Sequence, residues 1–210
     1  MYFPNLTFSC HFAVITTSSE NLSQVPCLLQ EYKSCLATRK FDEAEKTNKE
    51  IQYLITNEIS TTGDELERFA DGMLEKADRF EETIPLYFAA ACRFKKDGNL
   101  RRMSSCVGDG CGAGMHRANK KMITRDATMK EVVKHHVIPL MRDIKNQMLE
   151  MTSVSKCMEM SRVLERIALS EKLVDDDEAA EEAMKECRVW RERWEDNFLH
   201  LSRTLLDSAS

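Results

Sequence analysis

The sequence contains few of the residues that sheet proteins place in their turns. Its 210 residues include only 7 Gly and 4 Pro, and aromatic residues make up 7% of the chain against 31% for charged residues. This composition argues against a sheet architecture and favours solvated helices. The hydrophobic content of 42% is high enough to bury a core, which argues against a disordered tail. We therefore predict an all-α fold.

The sequence also lacks a long apolar run. A helix that crosses a bilayer needs about 20 consecutive apolar residues, and no segment approaches that length. The short apolar run that begins at Phe8 contains Cys10 and His11 and follows no basic residue, so we do not interpret it as a secretory signal. We expect a cytoplasmic protein that associates peripherally with endosomal or other intracellular membranes.

Cysteine is plentiful, but the sequence has no recognisable disulfide pattern. The cysteines are scattered through predicted helices, as is typical of reduced intracellular thiols. We therefore expect free thiols. The eight cysteines are Cys10, Cys27, Cys35, Cys92, Cys106, Cys111, Cys157 and Cys187.

One group of residues resembles a metal site only superficially. Cys106, Cys111 and His116 are five residues apart, and Asp109 lies among them. The paired ligands of structural zinc sites are two to four residues apart, so this spacing does not match. The His135–His136 pair has no cysteine or serine beside it that is placed as a nucleophile. We predict no catalytic residues, no metal and no other cofactor.

The apolar pattern divides the chain into three segments. Residues 1–26 are rich in Ser and Thr, lack a period and end at Pro26, so we expect a poorly ordered lead-in. Residues 27–60 have apolar residues at helical spacing around a polar break at Thr38–Lys40, which predicts an N-terminal helix or helical hairpin. Residues 62–210 are then the main helical domain.

The main domain begins with a regular stripe of apolar residues. These residues are separated by steps of three and four, a spacing that keeps one face against a partner helix. We predict one continuous helix here, followed by a flexible glycine-rich loop between Asp97 and Gly114. The stripe consists of Leu66, Phe69, Met73, Ala77, Phe80, Ile84, Tyr87, Ala91 and Phe94.

Two further helices are predicted after the loop. The third runs from about Met115 or Thr128 to Leu173, and its roughly 45–60 residues would span about 70–90 Å. The fourth begins at the acidic run Asp175–Glu178, since carboxylates stabilise the N-terminus of a helix. The apolar stripe of the fourth helix consists of Ala180, Ala183, Cys187, Trp190, Trp194, Phe198, Leu201 and Leu205.

Two prolines interrupt these patterns without stopping them. Pro85 and Pro139 each lie inside an apolar pattern that continues beyond them. A proline inside a helix removes one backbone donor and bends the helix. The predicted architecture is therefore a coiled-coil-like bundle of long, kinked, antiparallel helices. The alternative, in which each proline ends a helix, stays open at this point.

The net charge of −5 is unevenly distributed. The segment from Arg93 to Lys145 contains thirteen Lys or Arg and five Asp or Glu, a net charge of +8, whereas the rest of the chain carries −13. Each basic residue beside anionic headgroups contributes about 1 kcal/mol, so this segment predicts binding to an anionic phospholipid membrane. The predicted membrane-binding residues are Lys95, Lys96, Arg101, Arg102, Arg117, Lys120, Lys121, Arg125, Lys130 and Lys134.

Two alternatives compete with membrane binding. In the first, the basic residues solvate a long helix and pair with acidic residues elsewhere in the chain. In the second, the anionic partner is nucleic acid. Aromatic residues are not interleaved with the basic ones and the pI is about 5.6, so we expect no binding to nucleic acid.

Two segments resemble parts of a known helical module. Val132–Leu140, which reads VVKHHVIPL, and Trp194–Asp207 are similar to the bent second helix and the last helix of the BAR domain. The resemblance is to the arfaptin and BAR superfamily, is closest to its sorting-nexin branch, and covers residues 62–210. It implies a homodimer or a heterodimer with a related helical protein, which binds curved anionic membrane through a basic concave face. The shorter last helix and the segment 27–60 depart from the family pattern.

The sequence therefore predicts a peripheral membrane-binding, dimeric helical scaffold that senses or stabilises membrane curvature in intracellular trafficking. It is not predicted to be an enzyme. The alternative is a helical-bundle adaptor that binds a helix of a partner protein without lipid contact, because methionines form adaptable binding surfaces. The methionines concentrated in the third helix are Met141, Met148, Met151, Met158 and Met160.

Overall fold

The structure is a computed structural model that describes residues 19–77, 80–107, 127–153 and 155–208. Within these ranges no residue lies in a strand, so the predicted all-α fold is confirmed. A first π-helical turn, Leu54–Glu58, continues α2. A second π-helical turn, Val133–Val137, joins α6 to α7. The helices are α1 (Ser19–Ala37), α2 (Phe41–Tyr53), α3 (Gly63–Ala77), α4 (Phe80–Lys96), α5 (Leu100–Ser105), α6 (Ala127–Val132), α7 (Ile138–Glu150), α8 (Lys156–Leu173) and α9 (Asp177–Ser208).

The first two helices, α1 and α2, form a helical hairpin. Arg39, in the turn between them, has a positive φ of 58°, a conformation that ends a helix tightly. Residues 19–26 of the expected lead-in belong to α1 instead, and Pro26 lies inside this helix. The burial of Val25 and Leu29 on either side stabilises the helix there, although the proline removes a backbone donor. Residues 1–18 of the expected lead-in lie outside the described residues.

The next two helices, α3 and α4, are antiparallel neighbours, so the prediction of one continuous helix was wrong. A Cβ placed on Gly63, the first residue of α3, would lie 2.7 Å from the ring of Phe94 near the end of α4. Farther along the pair, the Tyr87 hydroxyl donates to Asp71 at 2.6 Å. Steps of three and four describe an amphipathic helix, but they do not show that its partner is the next segment of the same chain. Residues 78–79 lie outside the described residues.

Neither proline within the predicted helices ends a helix. Pro85 lies inside α4. Pro139 lies near the start of α7, which follows α6 and the π-helical turn without a break in the helix. The prediction that both helical patterns continue past the prolines is confirmed. Kinks of long helices concentrate at prolines and π-helical turns, and here the two features are adjacent.

The predicted glycine-rich loop is partly helical. After a turn in which Gly98 has a φ of 68°, the side chain of Asn99 caps α5 by accepting a hydrogen bond of 3.1 Å from a backbone N–H of its first turn. Leu100 and Met103 are buried, so this short segment packs onto the core. The prediction of a loop was therefore wrong where α5 forms. Residues 108–114 of the predicted loop lie outside the described residues.

The predicted long third helix is interrupted between α7 and α8. The backbone is extended at Met151, with a ψ of 146°. The Lys156 side chain then donates to the carbonyl of Leu149 at 2.5 Å, which caps the end of α7. The segment Thr152–Ser155 is rich in hydroxyl side chains that compete with helical hydrogen bonds, which accounts for the interruption. The prediction of an unbroken helix up to Leu173 was wrong.

The last two helices, α8 and α9, form another hairpin. Asp175, in the turn between them, has a φ of 62°, and the Cys187 thiol donates to the carbonyl of Ser161 at 3.2 Å across the pair. Helix α9 has 32 residues against 18 in α8. Asn197 already contacts Cys157, the second residue of α8, at 3.8 Å. Helix α9 therefore continues past the end of its partner.

The part of α9 beyond α8, Phe198–Ser208, is called the overhang below. Helix α9 begins within the acidic run, as predicted. Its predicted apolar stripe is buried only in the first half, because Phe198 is 57% exposed and the neighbouring Leu199 is 53% exposed. The side chains of Leu201 and Leu205 lie outside the described residues. The stripe faces α8 only as far as α8 extends.

The hairpins share one apolar core, in which α4 is central because it packs against α1, α2, α3 and α5. This core includes residues on both sides of residue 60, so the segments 27–60 and 62–210 pack together. Met141, Met148 and Met160 are completely buried in it. Among the described residues, no helix combines the length and the apolar character that crossing a membrane requires.

Candidate functional site: an arginine cleft

A cleft of about 760 Å³ lies between α5 and α8. Its volume falls within the range of about 300–1,000 Å³ that is typical of ligand sites. We call it the arginine cleft, because four of the side chains that line it are arginines. Its lining residues are Asn99, Arg101, Arg102, Ser104, Ser105, Arg162, Glu165 and Arg166.

Local structure brings the four arginines together. Arg162 and Arg166 are four residues apart in α8, so they lie on one face of that helix. On the other side, the burial of Leu100 and Met103 fixes the orientation of α5 and leaves Arg101 exposed. The cleft therefore has guanidinium groups on both walls.

Carboxylates position two of these arginines. Arg102 contacts Asp64 and lies 2.5 Å from Glu67, both on α3. Arg162 lies 3.2 Å from Glu159. Burial raises the pKa of the Glu67 carboxyl, and the nearby Arg102 opposes that rise. A guanidinium group has five N–H donors, so these contacts leave donors for a ligand.

Glu159 connects the two sides of the cleft. Its side chain is completely buried and accepts a hydrogen bond from Ser104 of α5. The same carboxylate pairs with Arg162 of α8. A buried charge without partners costs several kcal/mol, so these contacts are needed for folding. They also fix the distance between the walls.

The lining itself contains four arginines and one carboxylate, Glu165, which lies 3.6 Å from Arg191 of α9. The carboxylates that contact two of these arginines from beside the lining offset part of the positive charge. The planar fork of an arginine matches the oxygens of phosphate and carboxylate groups with two parallel hydrogen bonds. The cleft is therefore suited to an anion with several oxygens.

Two of the predicted membrane-binding residues make contacts within the chain at the end of α4. Lys95 donates to the side chain of Gln147 at 3.0 Å. Lys96 donates to the side chain of Asn57, also at 3.0 Å. These lysines hold the end of α4 against α7 and the first π-helical turn, and they do not line the arginine cleft.

The other predicted membrane-binding residues are distributed over several places. Arg101 and Arg102 line the arginine cleft. Lys130 pairs with Asp175 at 2.5 Å, and Lys134 is exposed on the second π-helical turn. The structure therefore brings only two of these residues into one site. Outside the described residues lie Arg117, Lys120, Lys121 and Arg125.

Part of the charge of the basic segment is neutralised within the chain. Five of its basic residues form ion pairs with acidic residues from outside the segment. These five residues agree with the first alternative to membrane binding, in which basic residues pair with acidic residues elsewhere in the chain. The pairs are Lys95–Glu150, Arg102–Asp64, Lys130–Asp175, Arg142–Glu171 and Lys145–Glu186.

The sequence did not indicate two of the four arginines of the cleft. Arg162 and Arg166 lie outside the basic segment, so the distribution of charge along the chain did not single them out. Their spacing indicates a shared helix face. Which neighbour this face meets depends on how α5 packs beside α8, and the sequence does not reveal that packing.

Of the four residues that superficially resemble a metal site, the structure describes Cys106. Cys106 is completely buried, and burial raises the pKa of its thiol. A buried, protonated thiol is a poor metal ligand. Asp109, Cys111 and His116 lie outside the described residues. Within the described part of the chain, no three potential ligands are grouped closely enough to hold a metal ion.

The six cysteines that the structure describes have free thiols. Burial raises the pKa of the Cys35, Cys92 and Cys187 thiols as well, so these side chains are weak nucleophiles. Cys27 is exposed. The described thiols therefore add no reactive group to the arginine cleft.

Comparison with known proteins gives no match to a family model, to a curated protein or to a solved structure. The resemblance to a BAR domain therefore stays a prediction.

Proposed function

We propose that the protein is a helical scaffold that binds anionic phospholipid membrane peripherally. The observation that supports this proposal most directly is the arginine cleft, with Arg101 on one wall and Arg162 and Arg166 on the other. Lipid phosphates present the groups of oxygens that guanidinium forks bind. Electrostatic attachment of this kind requires no insertion of the chain into the bilayer. The scaffold acts through shape and charge, without a catalytic step.

The resemblance to a BAR domain adds dimerisation and curvature to the proposal. Two copies, or one copy and a related helical protein, associate through α9 and sense or stabilise curved membrane in intracellular trafficking. The overhang supports this part, because Phe198 and Leu199 present apolar surface that α8 does not cover. With 32 residues, α9 is the longest of the described helices and offers the most surface for such a dimer.

Co-sedimentation with vesicles tests the membrane proposal. The full chain should pellet with vesicles that contain phosphatidylserine, and not with vesicles of phosphatidylcholine alone. Binding should weaken as salt rises, since the Debye length is only about 8 Å at physiological ionic strength. The variant Arg101→Glu should bind at least about fivefold more weakly, because a lost contact is worth about 1 kcal/mol and Arg101 is exposed.

A matched control separates the cleft from the total charge. Lys46 is exposed on α2 and does not line the arginine cleft, so Lys46→Glu should bind vesicles within about twofold of the wild type. If each reversed charge lowered the affinity for vesicles equally in both variants, the cleft would contribute no more to binding than any other surface charge. Failure of the wild type to pellet with anionic vesicles would contradict membrane binding itself.

The overhang also favours a second candidate function, a helical-bundle adaptor that binds a helix of another protein. Three of the five methionines that suggested this function, Met141, Met148 and Met160, are completely buried and therefore cannot contact a partner. Phe198 and Leu199 would take their place, since an amphipathic partner helix needs apolar residues to pack against. Such an adaptor would remain in the supernatant with every vesicle composition.

A further inference from the structure

A buried amide on α2 has no hydrogen-bond partner among the described residues. Asn48 is only 1% exposed, and neither its Nδ2 nor its Oδ1 has a partner in the part of the chain that the structure describes. Most buried polar groups in native proteins are hydrogen-bonded, so an exception calls for a missing partner. Because both the donor and the acceptor are unused, the partner must offer an acceptor and a donor close together.

Asn48 lines a cavity of about 260 Å³, with α2 on one side and the second π-helical turn and α7 on the other. Apolar side chains form part of its wall, among them Phe41, Phe88 and Leu140. The Phe41 ring lies beside the ring of His135, with 5.6 Å between their centroids. The volume lies just below the range of about 300–1,000 Å³ that holds drug-sized ligands. A molecule with a single ring is the appropriate size.

The wall opposite α2 has an unusual backbone. The π-helical turn Val133–Val137 places the adjacent residues His135 and His136 at the same cavity. Single π-helical turns are rare and occur frequently at functional sites. Nε2 of His136 is already engaged with the Tyr32 hydroxyl at 2.8 Å. The side-chain amides of Gln52 and Gln147, which also line the cavity, already have partners. Among the described lining residues, Asn48 is therefore the one whose amide has both of its functions free.

The charges around the cavity exclude anions. Three carboxylate residues, Asp42, Glu45 and Asp143, line it together with one cation, Lys49. Lys49 is paired with Glu45 at 2.5 Å, so its charge is already compensated. A phosphate or a carboxylate would meet net negative charge here. The ligand chemistry therefore differs from that of the arginine cleft.

We propose that this cavity binds a small, planar, uncharged molecule that carries a carboxamide or a ring lactam. Such a group presents a carbonyl oxygen beside an N–H, which is the complement of the Asn48 amide. The Asn48 Nδ2 donates to the ligand carbonyl, and the ligand N–H donates to the Asn48 Oδ1. The ring of the ligand packs among the apolar side chains. This binding is independent of membrane association.

Benzamide and benzoate are suitable probes, because they have the same shape and differ in charge and in the N–H donor. Titration of the full chain, followed by ligand-observed NMR, should show benzamide binding and no benzoate binding. Equal binding of both compounds would overturn the proposal, because neither the donor nor the charge would then matter. No binding of benzamide would overturn it as well and would leave water as the occupant of the cavity.

Variants of Asn48 test the assigned contact. Asn48→Leu should reduce benzamide affinity at least about tenfold, since two hydrogen bonds are lost. Asn146→Leu, at an exposed position of α7, is the matched control and should bind like the wild type. If circular dichroism shows that Asn48→Leu is unfolded, Asn48→Asp provides the same test by replacing the donor with a negative charge. Undiminished binding to a folded variant of Asn48 would refute the assignment.

Discussion

The hydroxyl of Tyr32 lies 2.8 Å from Nε2 of His136, and both side chains are buried. This contact joins α1 to the second π-helical turn across 104 positions of the chain. Burial lowers the pKa of His136 to about 4, and the carboxylate of Glu45 opposes that shift. The imidazole is therefore neutral at pH 7 in the folded protein.

The stability of the protein should fall as the pH is lowered from 6.5 to 4. In the unfolded chain His136 takes up a proton near its ordinary pKa of 6.5, whereas in the folded protein it does so only near 4. Its contribution is therefore complete above pH 6.5 and is lost progressively down to pH 4. The loss amounts to about 3 kcal/mol at most, and urea unfolding at several pH values measures it.

Variants separate His136 from the other groups that titrate in this window. In His136→Gln the part of the pH dependence that is due to His136 should disappear. The matched control is His135→Gln, on the exposed side of the same turn, which should retain that part. An identical pH profile in the wild type and in His136→Gln would show that the buried imidazole does not link folding to pH.

Replacement of Gly63 by alanine should destabilise the α3–α4 hairpin. The added Cβ would lie 2.7 Å from the ring of Phe94, which is 4% exposed and therefore has little room to move. The guanidinium of Arg102 also lies over this ring, 5.1 Å from its centroid. Overpacking of this kind costs about 1–3 kcal/mol, which thermal unfolding should detect as a lowered Tm.

Gly72→Ala, in the same helix, should have the opposite effect on the Tm. No atom lies within 4 Å of a Cβ at Gly72, so the substitution meets no obstacle. Alanine in a helix interior is more favourable than glycine by about 0.5–1 kcal/mol, so the Tm should rise. Equal effects of Gly63→Ala and Gly72→Ala would contradict the close approach of α3 and α4.

The overhang should determine the oligomeric state. If a second copy covers Phe198, then Phe198→Glu should shift the protein from dimer to monomer in light scattering coupled to size exclusion. A charge introduced at such a contact must be buried without a partner, which costs several kcal/mol. Leu149→Glu is the matched control, because Leu149 is also an exposed apolar residue, at 43%, but lies on α7. A monomeric wild type would refute the dimer.

The sequence predicts the helical class well, because helical periodicity is a local property. It locates the start of α9, and it predicts that the helical pattern continues past Pro85 and Pro139. It fails where the chain reverses. The close approach of Gly63 to Phe94 shows that the predicted continuous stripe is folded back on itself. A stripe has the same spacing whether its partner is distant or adjacent in sequence.

The sequence does contain an indication that the helix ends after α7. Thr152–Ser155 has three hydroxyl side chains in four residues, and such residues favour helix ends over helix interiors. The apolar spacing on both sides concealed this signal. Of the arginine cleft, the sequence indicates only Arg101 and Arg102. The other wall comes from α8 and depends on the buried contact between Ser104 and Glu159, which are 55 residues apart.

The pairing of neighbouring helices has a consequence for the order of folding. The hairpins α1–α2, α3–α4 and α8–α9 each join consecutive segments, so their contacts close short loops and cost little chain entropy. The hydrogen bonds Tyr32–His136 and Ser104–Glu159 connect segments that are distant in sequence, so they form only when the hairpins pack against one another. We therefore expect the cleft and the cavity to be the last parts of the molecule to assemble.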